Sequence, residues 1–291
     1  MTDAPECPRH AFVVCGPTAS GKSELADSLA DGLTELHGHT PTIVVDSMQV
    51  YRELPITTNQ ARRRPAELVG IVSVTEVWTV ARHRARAEEV IREAGAHFVL
   101  DAGTGMYLNA ILLDIPLAPR VSEEHRRRAR ETTRDEANPR RAARARELAL
   151  AGVRDRGSIW DGRSLYETTI LYLRPERPAL DEAISRRTAR IIREGLDEAH
   201  LVNRMIDSGA PVSAPVLEAV GVRELTGHLS GDLSPEEAED RMNVRTRQLA
   251  RRQLRWFDKL ARTLEGQPGL HVVTETSSQD FLHGMHDIIG A

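Results

Sequence analysis

The sequence predicts an α/β fold, a parallel sheet flanked by helices, with a small helical insertion and a helical C-terminal part. Three observations carry this. "HAFVVCG" (10–16), "PTIVVD" (41–46) and "HFVLDAGTG" (97–105) are short runs rich in β-branched and aromatic residues, each ending at a glycine or an acid, as buried strands do. Helical stretches at about 23–37 and 79–95 separate them, and strand–helix–strand order implies parallel pairing with helices on both faces. Between the first strand and the first helix lies "GPTASGKS" (16–23), which fits G-x-x-x-x-G-K-[ST].

Each element has its own signal. In the first helix Leu25, Leu29, Leu33 and Leu36 recur at three- and four-residue spacing, which places them on one face. The 79–95 helix stops at Gly95. Residues 120–152 are rich in Arg and Ala without strand alternation and read as two short helices broken near Asn138-Pro139. "SLYETTILYLRPE" (164–176) returns to the sheet, and helices follow at about 178–208, 215–229 and 235–265. The last has a clear start, with Ser234 as N-cap, Pro235 at the first helical position and Glu237 as the capping-box acid. "GLHVVTET" (269–276) reads as the final strand. The expected organisation is a core of residues 1–119 and 153–291 carrying an insertion of residues 120–152.

Composition narrows the class. Of 291 residues 40% are hydrophobic and 28% charged, an ordinary soluble balance that supports a substantial core. Cys7 and Cys15 form neither a disulfide framework nor a zinc spacing, which fits a reducing cytoplasm. No stretch approaches the roughly 20 apolar residues of a membrane span, and no signal peptide is visible. The expectation is a cytoplasmic monomer without membrane attachment. Net charge is −4, yet residues 120–147 hold ten Arg against six acids, and residues 241–262 hold seven Arg and Lys259 against Asp258 alone. Two basic segments on an acidic body suit a polyanion, or they are solvated helix faces. Lys22 and Lys259 are the only lysines, and one falls at the lysine position of the loop.

In such a loop consecutive backbone N–H groups point inward and the following helix turns its positive end toward phosphate. Lys22 adds a point charge, and Ser23 offers a hydroxyl to Mg²⁺. This is a P-loop NTPase-like core, and the motif alone makes a kinase or NTPase the default. Ligands on such sheets bind beyond the carboxyl ends of the strands, which brings residues 16–23, Asp46 and the "DAGTG" turn to one rim. From its position Asp46 is a Mg²⁺ ligand, a general base or a turn cap.

"GPTASGKS", "DSMQVYREL", "AGTGMYLNAIL", "NPRRAARARELALAG", "GVREL" and "TRQLARRQLRWF", in this order from Gly16 to Phe257, resemble the tRNA dimethylallyltransferase (tRNA isopentenyltransferase) family. The resemblance implies transfer of a dimethylallyl group from its diphosphate to the exocyclic amine of the adenosine next to the anticodon. It places the donor's pyrophosphate, with Mg²⁺, in the loop of Thr18, Ala19, Ser20, Gly21, Lys22 and Ser23. It makes Asp46 the acid that takes the amine proton and puts Thr104 beside the oxygen that leaves. Arg187 then binds the donor's terminal phosphate, although as one charge on a long helix it also reads as surface. Ser47, Met48 and Gln49 contact the target base, and Arg140, Arg141 and Arg144 contact tRNA. On the last helix Leu249, Trp256 and Leu260 are spaced to face the core. Arg245, Arg252 and Lys259 form one stripe, and Arg247, Arg251 and Arg255 another, suited to a phosphate backbone or to solvent.

The chain departs from the family pattern in four places. The anticodon-gripping insertion is reduced to residues 119–138, and "AELVGIVS" puts Gly70 where an acid is expected. Val222 replaces an aromatic, and Ala137 an acid. The donor side therefore matches better than the acceptor side. A free adenine nucleotide, adenosine or another small amine is the alternative acceptor, and a kinase or NTPase the alternative class.

Overall fold

The computed structural model describes residues 9–117, 119, 121–133, 139–153 and 158–283, without the side chains of 139–141, 282 and 283. Cys7 lies outside these residues. The elements run β1 (His10–Cys15), α1 (Lys22–His37), β2 (Thr42–Val45), α2 (Val80–Glu93), β3 (His97–Ala102), α3 (Gly105–Leu112), α4 (Glu123–Thr132) and α5 (Pro139–Leu150). They continue with β4 (Glu167–Leu173), α6 (Arg177–Glu194), α7 (Leu196–Asp207), α8 (Ala214–Leu217), α9 (Val222–Leu229), α10 (Pro235–Leu264), β5 (Leu270–Glu275) and α11 (Ser278–His283).

The strands form one sheet in the order β2–β3–β1–β4–β5, and every pairing is parallel. Cys15 and Val45 both pair with Ala102, so β1, β2 and β3 end level with one another. The turns that follow them, which contain residues 16–23, Asp46 and Gly103–Thr104, therefore open on one rim. Parallel strands buried on both faces read as continuous apolar runs, and the five residues from Ala11 to Cys15 are at most 4% exposed.

Helix α1 packs Leu25, Leu29 and Leu33 against Phe12, Val14, Val99, Leu171 and Leu173. Leu36, expected on the same face, is 62% exposed in the last turn of the helix, which ends one residue later. In α10 the capping box is formed as expected: Glu237 N–H donates to Ser234 Oγ at 3.1 Å, and Ser234 N–H to the Glu237 carboxylate at 2.8 Å. The core-facing stripe runs through Met242, Thr246, Ala250, Gln253, Phe257, Leu260 and Leu264. Leu249 and Trp256, expected to face the core, sit partly buried on its flank; Phe257 takes the core position.

Two expected helices are each divided. The 178–208 stretch breaks at Gly195, where a Cβ would lie 2.8 Å from Ile191 O and 3.0 Å from Leu225 Cδ1. Close packing of α9 demands glycine there, and α6 gives way to α7. The 215–229 stretch breaks at Gly221, whose φ of 97° favours glycine. The segment after the "DAGTG" turn, given no helix from sequence, forms α3.

The chain divides into two compact units, residues 1–112 with 164–291, and residues 113–163. The second is wider than the expected 120–152 because its flanking segments run together: Asp114 N–H donates to Arg163 O at 2.9 Å, and a Cβ on Gly162 would lie 2.6 Å from Ile115 Cγ2. Within it α4 packs on α5, with Ala129 and Ala143 buried.

Leu29→Ala should cost about 2–5 kcal/mol in denaturant unfolding, through lost transfer energy plus a cavity. Leu36→Ala should stay within about 0.5 kcal/mol. A second expectation concerns the start of α2. Trp78 Nε1–H donates to His83 Nδ1 at 3.0 Å, and burial pushes His83 down to about 4. The unfolded chain takes up this proton near 6.5 and the folded chain does not. Stability from His83 is therefore full above 6.5 and falls toward pH 4 by about 1.4 kcal/mol per pH unit. The slope is checked by comparing the pH dependence of unfolding with that of His83→Leu.

Candidate phosphate-binding and transfer site

The loop after β1 takes its shape from backbone conformation. Ala19 adopts φ 65° and Gly21 φ 85°, so the chain reverses hand twice before α1 begins. Such alternation turns successive N–H groups toward one point, and the N-terminus of α1 adds its partial positive charge. Ser20 Oγ is buried without a protein partner, as suits a hydroxyl kept for a ligand. The Ser23 hydroxyl makes no protein hydrogen bond among the described residues; only its carbonyl is used, by Arg62.

Lys22 is 8% exposed. Burial pushes its ammonium down, Asp101 and then Asp46 pull it up, and Arg187 and Arg62 push it down again. Its side chain runs against the glycine turn after β3: a Cβ on Gly103 would lie 2.7 Å from Asp46 Oδ2 and 3.4 Å from Lys22 Cε. Only glycine allows Lys22 and Asp46 to approach that turn together.

Asp46 follows β2 directly. Its Oδ1 accepts N–H groups of Met48 at 2.8 Å and Gln49 at 3.3 Å, which fixes the carboxylate and leaves Oδ2 facing Gly103. Asp46 is thus a turn cap through one oxygen and has the other available for chemistry. Thr104 Oγ1 accepts Ser47 N–H at 3.1 Å, so the hydroxyl proton of Thr104 is directed elsewhere.

Arg187 reaches in from α6 and donates to Thr18 Oγ1 at 3.0 Å. Burial pushes its guanidinium down to about 10, with Asp46 opposing and Arg190 adding to the fall. The surface reading of this residue is excluded. An open depression of about 430 Å³ over the loop is lined by Gly21, Lys22, Ser23, Arg186, Arg187 and Arg190, among others. A narrower cavity of about 110 Å³ lies beside it. Lys22, Asp46, Met48, Gln49 and Arg187 meet there with the apolar Ile191, Ala219, Val220 and Leu249. One wall is anionic-ligand chemistry; the other suits a hydrocarbon or a flat base.

Other expected residues fall elsewhere. Arg247 forms an ion pair with Asp181 at 3.3 Å and donates to Ser185 Oγ, so it fastens α10 to α6. Arg245 pairs with the buried Glu224 and donates to Glu218 O at 2.5 Å, which removes it from a free basic stripe. Arg251 and Arg255 are exposed. Arg144 belongs to the second unit, where it pairs with Glu147 at 2.9 Å. The side chains of Arg140 and Arg141 lie outside the described residues.

Three positioning residues were not anticipated. Gln253 of α10 accepts Thr18 N–H at 2.8 Å and donates to Gly103 O at 2.8 Å, tying the loop to the turn that carries Thr104. Thr18 thereby commits its N–H to Gln253, while its hydroxyl oxygen accepts Arg187 and keeps its proton to donate. Arg62 lies beneath the loop between Asp27 and Asp101. Glu198 of α7 accepts the N–H groups of Ile56 at 2.5 Å and Thr57 at 2.9 Å, holding the segment that lines the narrower cavity. The glutamine was legible only as part of the "TRQLARRQ" segment, and Asp101 only as an acid closing a strand.

A parallel sheet with this loop, a facing arginine and a fixed carboxylate beside an apolar wall defines a P-loop NTPase-like fold whose loop suits an anion and adjoins a second, partly apolar cavity. The chain belongs to the IPP transferase family, whose sequence model matches residues 49–260. A tRNA dimethylallyltransferase of Rubrobacter xylanophilus is 59% identical over 97% of this chain and 99% of its own length. A tRNA dimethylallyltransferase of Rickettsia rickettsii is 30% identical over 86% of this chain and 76% of its own length. The crystal structure of the tRNA isopentenylpyrophosphate transferase of Bacillus halodurans superposes with a TM-score of 0.69 at 26% identity, over 98% of this chain and 95% of that one.

Gln253→Leu leaves two buried backbone groups, Thr18 N–H and Gly103 O, unpaired. Each such loss costs about 1–3 kcal/mol. The variant should unfold at lower denaturant with its m-value unchanged, as equilibrium denaturation will show.

Proposed function

We propose that this protein is a tRNA prenyltransferase, moving a dimethylallyl group from dimethylallyl diphosphate to the exocyclic amine of the adenosine beside the anticodon. One observation carries the reading: in a member of this family, the phosphate loop, Arg187 and the fixed Asp46 carboxylate converge on a single cavity with an apolar wall. The Rubrobacter relative matches along nearly its whole length, so the reduced insertion does not set this chain apart from it.

In the reaction the allylic C–O bond breaks, the amine nitrogen forms the new C–N bond, pyrophosphate leaves and one proton leaves the amine. The inward N–H groups of the loop, Lys22 and Arg187 hold the diphosphate and stabilise the charge that grows on it. Thr104, whose oxygen already accepts a bond from Ser47, has its O–H left to donate to the leaving oxygen. Asp46 Oδ2 receives the amine proton while Oδ1 stays anchored. Ser47, Met48 and Gln49 lie beside that carboxylate and position the base.

Mg²⁺ fits this donor set. Among the described residues no cluster of three or more His, Cys, Asp or Glu is built to hold a metal. Mg²⁺ commonly binds through substrate phosphates, water and one or two protein oxygens, and the Ser23 hydroxyl supplies such an oxygen. When bound it would neutralise charge on the departing diphosphate. Arg251 and Arg255 on the exposed face of α10, with the Arg-rich second unit, suit RNA phosphates. The proposal takes a cytoplasmic monomer acting on tRNA as its setting.

The test is a single-turnover assay with labelled dimethylallyl diphosphate and Mg²⁺, offering unmodified tRNA, AMP and adenosine in parallel. Label should enter tRNA; label in AMP or adenosine alone would overturn the acceptor assignment. Asp46→Asn should lower the rate by about 10²-fold or more while tRNA binding persists. Unchanged turnover would remove Asp46 from its role as base.

A further inference from the structure

Beneath the phosphate loop lies an arginine outside the two cavities described above. Arg62 comes from the segment between β2 and α2, and its side chain is 5% exposed. Its Nη1 binds Asp101 Oδ2 at 2.5 Å, and its Nη2 binds Asp27 Oδ1 at 2.5 Å and the carbonyl of Ser23 at 3.3 Å. Arg62 N–H lies one residue before Arg63 N–H, which donates to Asp27 Oδ2 at 3.2 Å, so both Asp27 oxygens are occupied. Asp101 differs. It is 1% exposed, and its Oδ1 is buried with no hydrogen-bond partner.

An unpartnered carboxylate oxygen in a dry interior seeks the nearest cation. Asp101 stands in β3 opposite Val14 of β1, two residues before the Gly103 turn that Lys22 runs against. Asp101 is the strongest charge drawing on Lys22, ahead of Asp46. Without a competitor the two would form a closed ion pair under the loop, and the lysine would lose much of its attraction for a diphosphate.

We propose that Arg62 is a positioning residue for donor binding: by claiming Asp101 and Asp27 from below, it keeps Lys22 available to the diphosphate above. This rests on the reading of the loop as the donor site. Arg62 contacts no substrate; it acts through Asp101 on Lys22, and through the Ser23 carbonyl on the start of α1. The charge balance fits the role. Asp27, Asp101 and Asp46 are matched by Arg62, Lys22 and Arg187, and only Lys22 and Arg187 face the anion.

The test compares two double variants of equal net charge, R62M/D27N and R62M/D101N. Each removes the guanidinium and one carboxylate; they differ in which acid stays. Binding of inorganic pyrophosphate with Mg²⁺ is measured by calorimetry, with circular dichroism and thermal unfolding as fold controls. R62M/D27N, which leaves Asp101 facing Lys22, should bind at least about tenfold more weakly than the unmodified protein. R62M/D101N should bind within about threefold of it. Equal affinities in two folded double variants would overturn the proposal. Should the double variants fail to fold, D101N alone decides, since Arg62 keeps its bonds to Asp27 and Ser23. Pyrophosphate affinity equal to or tighter than that of the unmodified protein supports the competition, and a tenfold loss refutes it. Failure of the unmodified protein to bind pyrophosphate would instead remove the donor-site reading itself.

Discussion

The site depends on bringing like charges together under a loop that must stay open. Lys22 and Arg187 converge on the place where a diphosphate would sit, and both are driven toward the neutral form by burial. Asp46 draws both back toward the charged form, and Asp101 draws on Lys22 as well. The same carboxylates would quench the site if they closed on the cations. The fold prevents this geometrically: Asp46 Oδ1 is tied down by two backbone N–H groups, and Asp101 Oδ2 by Arg62. On the proposed reading, anion affinity is set by which partner each acid is allowed to reach.

Positioning falls to helices far along the chain. Gln253, in the middle of a thirty-residue helix, joins Thr18 of the loop to Gly103 of the turn after β3. Around it α10 is fastened at several points. Arg247 binds Asp181 on α6, Arg245 binds Glu224 on α9, and Asp258 accepts Tyr172 O–H at 2.9 Å and pairs with Arg174 at the end of β4. Trp256 lies over Gly105, where a Cβ would come within 2.2 Å of the indole, and donates to Asn109 on α3 at 3.2 Å. The helix that carries basic residues outward is therefore also the strut that holds the reacting centre inward.

These two roles explain why the stripes read along α10 dissolved into separate tasks. Helical spacing groups Arg245 with Arg252 and Lys259, and Arg247 with Arg251 and Arg255, but it does not say which members meet an acid from a neighbouring helix. Arg245 and Arg247 do, and they hold the architecture. Arg251 and Arg255 point outward and remain candidates for RNA phosphates.

Much was legible in the residues alone. Runs of apolar residues marked β1 to β4, because a parallel strand buried on both faces has no polar alternation to confuse the reading, and the β-branched "HVVT" run marked the half-exposed edge strand β5. "GPTASGKS" marked the loop with left-handed residues at Ala19 and Gly21, since glycine and small residues are what such a backbone requires, and the acid after β2 was visible by position. Helix breaks at Gly195 and Gly221 were not legible, because they depend on Leu225 and Thr57 pressing from elsewhere in the chain. Nor was the exposure of Leu36, in the last turn of α1. Arg62, Gln253 and Glu198 escaped for the same reason: a buried arginine, glutamine or glutamate has no periodic signature, and its partners lie 35 to 235 residues away. The sequence by itself determined the strands, the loop and its charges. Only the tertiary structure decided which acid neutralises which base, since that choice depends on distances between segments that local pattern does not encode.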